Sequence, residues 1–101
     1  ITCVGSLERV TLRMANESTT TEVPGPLEIV SLVGTMGQAG LHLHLAVADR
    51  EGRVTGGHLV DGSAVFTTAE ITVVILEDLQ FLRTQDSQTG SRELDIRSIG
   101  P

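Results

Sequence analysis

All three histidines of this 101-residue chain lie in one stretch, HLHLAVADREGRVTGGHL, residues 42–59. His42 and His44 are separated by one residue, and His58 follows the glycine pair Gly56-Gly57. A neutral imidazole offers one ring nitrogen to a metal while its other nitrogen is oriented by a hydrogen bond. Zinc in an open site takes three protein ligands and keeps a fourth position for water. If these three rings converge, they make a site for zinc or another divalent metal, or for a small anion. If they do not, they are polar residues hydrogen-bonded to each other, to backbone and to water. The spacing alone leaves both readings open.

Convergence depends on the elements that carry the rings. Residues 41–48 and 53–60 read as strands joined by Asp49-Arg50-Glu51-Gly52. A three-residue loop ending in Gly52 suits a type I turn with a bulge, where glycine takes the left-handed position. That register pairs Asp49 with Arg53, Leu45 with Gly57, His44 with His58 and Leu43 with Leu59, and sets His42 opposite Val60. All three histidines then share one face, because side chains alternate along strands. A slip of one residue, or a bulge at Gly56-Gly57, moves His58 to the other face. Leu41, Leu43, Leu45, Val47 and Leu59 fall on the opposite, core-facing side. Glu28 and Glu70 are the candidate carboxylates to orient the rings.

The rest of the chain is short apolar runs separated by turn signals, which indicates strands. Residues 7–15 alternate with Val10, Leu12 and Met14 inward. Residues 16–26 hold two prolines and read as a loop, and 34–40 as a glycine-rich loop. Residues 27–36 form a strand apolar on both faces. Ile71–Leu76 is the strongest strand signal, a β-branched run suited to burial on both faces. Residues 81–86 and 92–98 flank SQTG and form a hairpin. No amphipathic helix is evident, so the residues alone predict a mainly β domain, a sandwich or a strongly curled sheet.

Composition narrows the function classes. Seven basic residues, all Arg and scattered, face thirteen acidic ones for a formal charge of −6. Phosphate contacts dominate nucleic-acid affinity, so this balance argues against direct DNA binding. Cys3 is the single cysteine. It forms no intrachain disulfide and favours a reducing, intracellular, cytoplasmic setting. No apolar run approaches the roughly 20 residues of a membrane helix, and no secretory signal is recognisable. Only Phe66 and Phe81 are aromatic. The core must therefore be aliphatic, and oligomerisation would add buried area.

The segments EIVSLVGTM, GLHLHLAVADREGRVTGGHLVDG and VFTTAEITV together resemble the plant-and-prokaryote-conserved (PPC) domain family. The resemblance runs from about Ile1 to Ile96, and FLRTQDSQTGSREL is similar to the family's closing hairpin. It implies an α/β domain of the α+β type, with a mostly antiparallel sheet and little helix, assembled as a homotrimer. The whole of residues 1–101 is then one such domain. The strand and helix that usually precede it in the family are missing, so truncation at the N-terminus is expected. Plant members carry AT-hooks ahead of the domain, and there the domain serves assembly and contact with other proteins. No Arg-Gly-Arg-Pro core occurs here.

The expected function is a non-catalytic oligomerisation and interaction module, with His42, His44 and His58 lining a metal or small-ligand pocket. One alternative is a metal-dependent enzyme using the same histidines. Cupins also use H-x-H with a later histidine, but they want a glycine six residues earlier, where this chain has Met36. A second alternative is DNA binding by family analogy.

Overall fold

The computed structural model describes residues 1–100, and every element in it is a strand. In chain order these are β1 (Thr2–Arg13), β2 (Thr20–Gly37), β3 (Gly40–Ala48), β4 (Val54–Leu59), β5 (Ala64–Thr72), β6 (Leu79–Gln85) and β7 (Arg92–Ser98). Five strands form one antiparallel sheet in the order β2-β3-β4-β1-β5, and β2 also pairs with β1. That extra pairing closes β1, β2, β3 and β4 into a ring, with β5 laid along the first half of β1. The strongly curled sheet is the arrangement the strand pattern anticipates. No helix is present among the described residues, and none is long and apolar enough to cross a membrane.

Ring closure needs a strand long enough to serve two partners, and β2 is that strand. Its first part, Thr20–Leu27, runs against β1, and its second part, Glu28–Gly37, runs against β3. Residues 16–26, expected to be a loop because of Pro24 and Pro26, therefore supply seven strand residues, from Thr20 on. Proline lacks an N–H, so it is tolerated where a strand has an unpaired edge. Here β2 has β1 on one side and no β3 partner on the other, and the register shifts between Leu7 and Arg9 as it passes the prolines. The glycine-rich segment 34–40 is likewise mostly strand; only Gln38-Ala39 turns between β2 and β3.

Inside the curl sit Leu7, Val10, Leu12, Leu27, Leu32, Leu45 and Val47, all buried. Val10 and Leu12 are 0 % exposed, as the alternation in β1 predicts. Met14 and Leu43 pack at the margin, whereas Leu41, assigned to the core face, is exposed. The larger correction concerns Ile71–Leu76. β5 ends at Thr72, and Val74 and Ile75 are 76 % and 78 % exposed. The β-branched run is expected to be buried on both faces, but among the described residues no strand pairs with Val73–Leu76.

Strands β6 and β7 form a separate two-stranded hairpin, in register from Leu79↔Ser98 to Gln85↔Arg92. Its turn is held by the Asp86 carboxylate, which accepts from the backbone N–H groups of Gln88 and Thr89, and by Gly90 at φ 73°. The hairpin leans on the end of β2, where Phe81 lies against Gly37 so closely that a Cβ there would meet the Phe81 Cβ at 2.8 Å.

Candidate metal centre

The loop between β3 and β4 sets the site. Gly52 has φ 79°, its N–H donates to the Asp49 carbonyl at 3.0 Å, and the Asp49 N–H donates to the Arg53 carbonyl at 3.0 Å. The Asp49 carboxylate accepts from the N–H groups of Glu51 and Arg53, both at 2.9 Å, which fixes the turn from inside. The register that follows is Ala48↔Val54, Leu45↔Gly57 and His44↔His58, as the turn chemistry predicts. Pairing of β3 with β4 stops there. β4 then turns to β1, pairing Leu59 with Leu12 and His58 with Arg13, so the anticipated His42–Val60 and Leu43–Leu59 pairs do not form.

One row of side chains consequently crosses four strands on the outer face: Arg13 on β1, His58 on β4, His44 on β3 and Val33 on β2. His42 lies two residues along from His44, opposite Thr35. The three imidazoles converge, with ring centroids 5.1 Å (His42–His44), 5.3 Å (His42–His58) and 5.9 Å (His44–His58) apart. One ring nitrogen from each lies within 4.8 Å of the others. Zinc–nitrogen bonds of about 2.05 Å in a tetrahedron set the nitrogens roughly 3.4 Å apart. Side-chain rotation by about an ångström closes that difference.

The donor set fits a divalent metal on a second ground. His58 Nδ1 is a buried side-chain polar atom with no hydrogen-bond partner among the described residues. Such an atom costs about 1–3 kcal/mol when left unsatisfied and commonly marks a missing ion or water. Burial, followed by the charge of Arg13 and the two other rings, holds His58 below the ordinary histidine pKa of 6.5. Burial, followed by Arg83, His44 and Arg13, does the same to His42, against an opposing pull from Glu93. Both shifts favour the neutral ring, the form that coordinates metal.

The partners of the rings differ from those expected. Glu28 pairs with Ala48 and Glu70 with Val4, and neither hydrogen-bonds a histidine. The group that reaches the site is Arg83 of β6, whose Nη2 lies 3.1 Å from His42 Nδ1 and 3.5 Å from Thr35 Oγ1. Arg92 stands beside it, donating to the Arg83 carbonyl at 2.6 Å. An open cavity of about 370 Å³ is lined by His42, His58, Arg83 and Arg92, with Ala39–Leu41 at its rim. These arginines were not singled out from the sequence. Their signal was the register Gln85↔Arg92 within the hairpin, which sets Arg83 and Arg92 on one face, but nothing in the sequence said where that face would dock.

Known proteins place the chain in context. The Plants and Prokaryotes Conserved (PCC) domain matches residues 1–77. A bifunctional protein GlmU from Synechococcus sp. (strain JA-3-3Ab) is 42% identical over 99 residues, which is 98% of this chain and 16% of that protein. The chain thus spans about a sixth of the length of its curated relatives. A solved hypothetical protein from Salmonella enterica is 44% identical, with a TM-score of 0.92 over 95% of this chain and 70% of that one. A candidate DNA-binding protein from Ralstonia eutropha JMP134 shares the fold at TM-score 0.78 and 21% identity, over 93% of this chain and 69% of that one. By the extent of the family match and the likeness to the Salmonella protein, this chain belongs to the Plants and Prokaryotes Conserved domain family.

Proposed function

We propose that this chain is a non-catalytic assembly and interaction module carrying a three-histidine site for zinc or a similar divalent metal. The observation that carries the assembly reading is the imbalance of its apolar surface. Seven apolar side chains are buried among the described residues, whereas sixteen large ones are exposed, four of them consecutive from Val73 to Leu76. Soluble monomers avoid apolar patches of this kind. Copies of the same chain are the simplest cover, because closed rings of identical subunits repeat one contact. A homotrimer is the expected form. The relatives that contain this domain within a much longer protein support a modular role. Sedimentation velocity at micromolar concentration tests it: a trimer is expected, and a monodisperse monomer refutes the reading.

The metal reading rests on the convergence of His42, His44 and His58 and on the unpartnered Nδ1 of His58. A metal held by three imidazoles supplies a Lewis-acidic position open to water or a ligand. Catalysis also needs a base or nucleophile positioned beside it. No carboxylate hydrogen-bonds a histidine here among the described residues, and Glu93, whose charge reaches His42, is engaged by Thr89 at 3.3 Å. A binding or structural metal is therefore favoured over an enzyme. Zinc titration with His44→Ala as control tests this: about one zinc per chain is expected, lost in the variant. Unchanged affinity assigns the histidines a structural role.

DNA binding is the reading that the Ralstonia protein's description suggests. A formal charge of −6 opposes it. Specific duplex binding at physiological salt is not expected, and sub-micromolar affinity with a steep salt dependence would reverse that expectation.

A further inference from the structure

The chain has seven arginines. Three of them are satisfied by carboxylates: Arg9 by Glu8, Arg53 by Asp49 and Glu51, and Arg97 by Asp95. Of the four without an ion pair among the described residues, three stand around the histidines: Arg13 opposite His58, and Arg83 and Arg92 across the cavity from His42. An acidic protein has thus placed three of its four arginines without an ion pair beside the histidines, where a metal would add two more charges. Guanidinium groups with no carboxylate partner match the planar or tetrahedral oxygens of an oxyanion, which they bind through paired N–H donors.

The Arg83–His42 contact adds a second strand to the argument. Arginine has only donors, so at 3.1 Å His42 Nδ1 must accept, and the neutral ring then carries its proton on Nε2. In that state His42 has no free lone pair. A metal at Nδ1 displaces the guanidinium directly. A metal at Nε2 forces the proton to Nδ1, where it faces the Arg83 N–H donor to donor. By either route Arg83 leaves His42 when the metal enters. Its donors are then released within the same cavity, next to Arg92 and the open coordination position.

We propose that the metal centre is a receptor for a small oxyanion, a carboxylate or phosphate group whose oxygens bridge the metal and the guanidinium groups of Arg83 and Arg92. This rests on the metal reading above. The cavity of about 370 Å³ falls within the range of small-molecule sites, roughly 300–1,000 Å³. Arg83 in this account has two successive partners, the His42 ring without metal and the oxyanion with it.

The experiment uses the whole chain loaded with cobalt(II), whose visible absorption reports its ligands, titrated separately with inorganic phosphate and with acetate. Saturable change in the cobalt spectrum is expected with one of the two, and which one identifies the source of the oxyanion. Arg83→Ala and Arg92→Ala should each weaken that titration at least tenfold. Arg83→Ala should also leave cobalt stoichiometry unchanged and raise cobalt affinity, since the guanidinium no longer holds the His42 lone pair. A destabilised protein would not show this combination. Equal anion affinity in wild type and both variants overturns the proposal, as does stronger displacement by duplex DNA than by phosphate. Should no cobalt load, the metal reading has failed separately. Calorimetric phosphate titration of the metal-free protein then decides: Arg83-dependent binding sustains the oxyanion site, and its absence overturns it.

Discussion

The curled ring and the C-terminal third solve the same problem with opposite outcomes. In the ring, Val10 and Leu12 of β1 and Val47 of β3 meet in a common interior, almost fully removed from water. From Val73 onward the chain is equally rich in aliphatic residues, yet Val74, Ile75, Ile96 and Ile99 remain exposed. Composition does not separate the two regions. Closure does: β2 pairs on both sides and bends the sheet around its own side chains, whereas β6 and β7 pair only with each other. The hairpin meets the ring at Gly37 and His42 but has no second sheet layer over it among the described residues, and a two-stranded hairpin is marginally stable by itself. The ring buries its own side chains within one chain, whereas the C-terminal third leaves its aliphatic residues exposed, the surface on which the proposed assembly rests.

Four measurements sharpen that contrast. The largest effect is expected from Leu12→Ala, which opens a cavity where exposure is 0 %. It should cost about 2–5 kcal/mol in denaturant unfolding of the chain. Ile75→Glu should act on assembly instead. Burial of an Ile side chain contributes roughly 1.5–3 kcal/mol, so its replacement by a charge should weaken association about 100-fold. Sedimentation should then show monomers whose strand content by circular dichroism is intact. A loss of folding as large as that of Leu12→Ala would mean that the two regions are one cooperative unit.

A third test joins the regions at the site. Gly34 sits against the His42 carbonyl and the Leu43 side chain, with no room for a Cβ. Gly34→Ala should cost about 1–3 kcal/mol through overpacking. It should also loosen zinc binding, because the strand that carries His42 and His44 is pushed away; unchanged zinc affinity would show that the metal needs no ring geometry. The smallest effect is with pH. His42 and His58 are held below their ordinary value of 6.5, so the unfolded chain takes up protons before the folded one does. Their contribution to stability is complete above about pH 6.5 and is lost as pH falls from there through the depressed folded values. Urea midpoints of the metal-free protein should decline modestly over that window, and His42→Asn with His58→Asn should flatten the decline.

What could be read from the sequence was what local chemistry decides. Gly52 fixed a turn, the turn fixed His44 opposite His58, and alternation in β1 set Val10 and Leu12 inward. Long-range geometry was not readable. Pro24 and Pro26 read as loop because pattern rules assume partners on both edges, and β2 has only one there. Ile71–Leu76 read as a buried strand because periodicity reports the demand for a partner and not the chain that supplies it, and only Ile71 and Thr72 lie in β5. Glu28 and Glu70 were plausible orienting carboxylates by type, but their registers carry them to Ala48 and Val4. Arg13 and Arg83 became neighbours of the histidines only through ring closure and hairpin docking.

The position of β1 in the sheet also sets the timing of folding. This strand bonds to β2, β4 and β5, and its farthest pair joins Thr2 to Thr72. During synthesis it emerges before any of its partners, at rates of roughly 5–20 residues per second. β2 can join it after a short wait, but its other edge stays bare until β4 and β5 have followed. Pairings across such sequence separations are slow to form, since chain closure must precede the contacts that reward it. For several seconds the nascent chain therefore exposes a strand edge near Cys3 and Val4, where another nascent copy could pair by mistake.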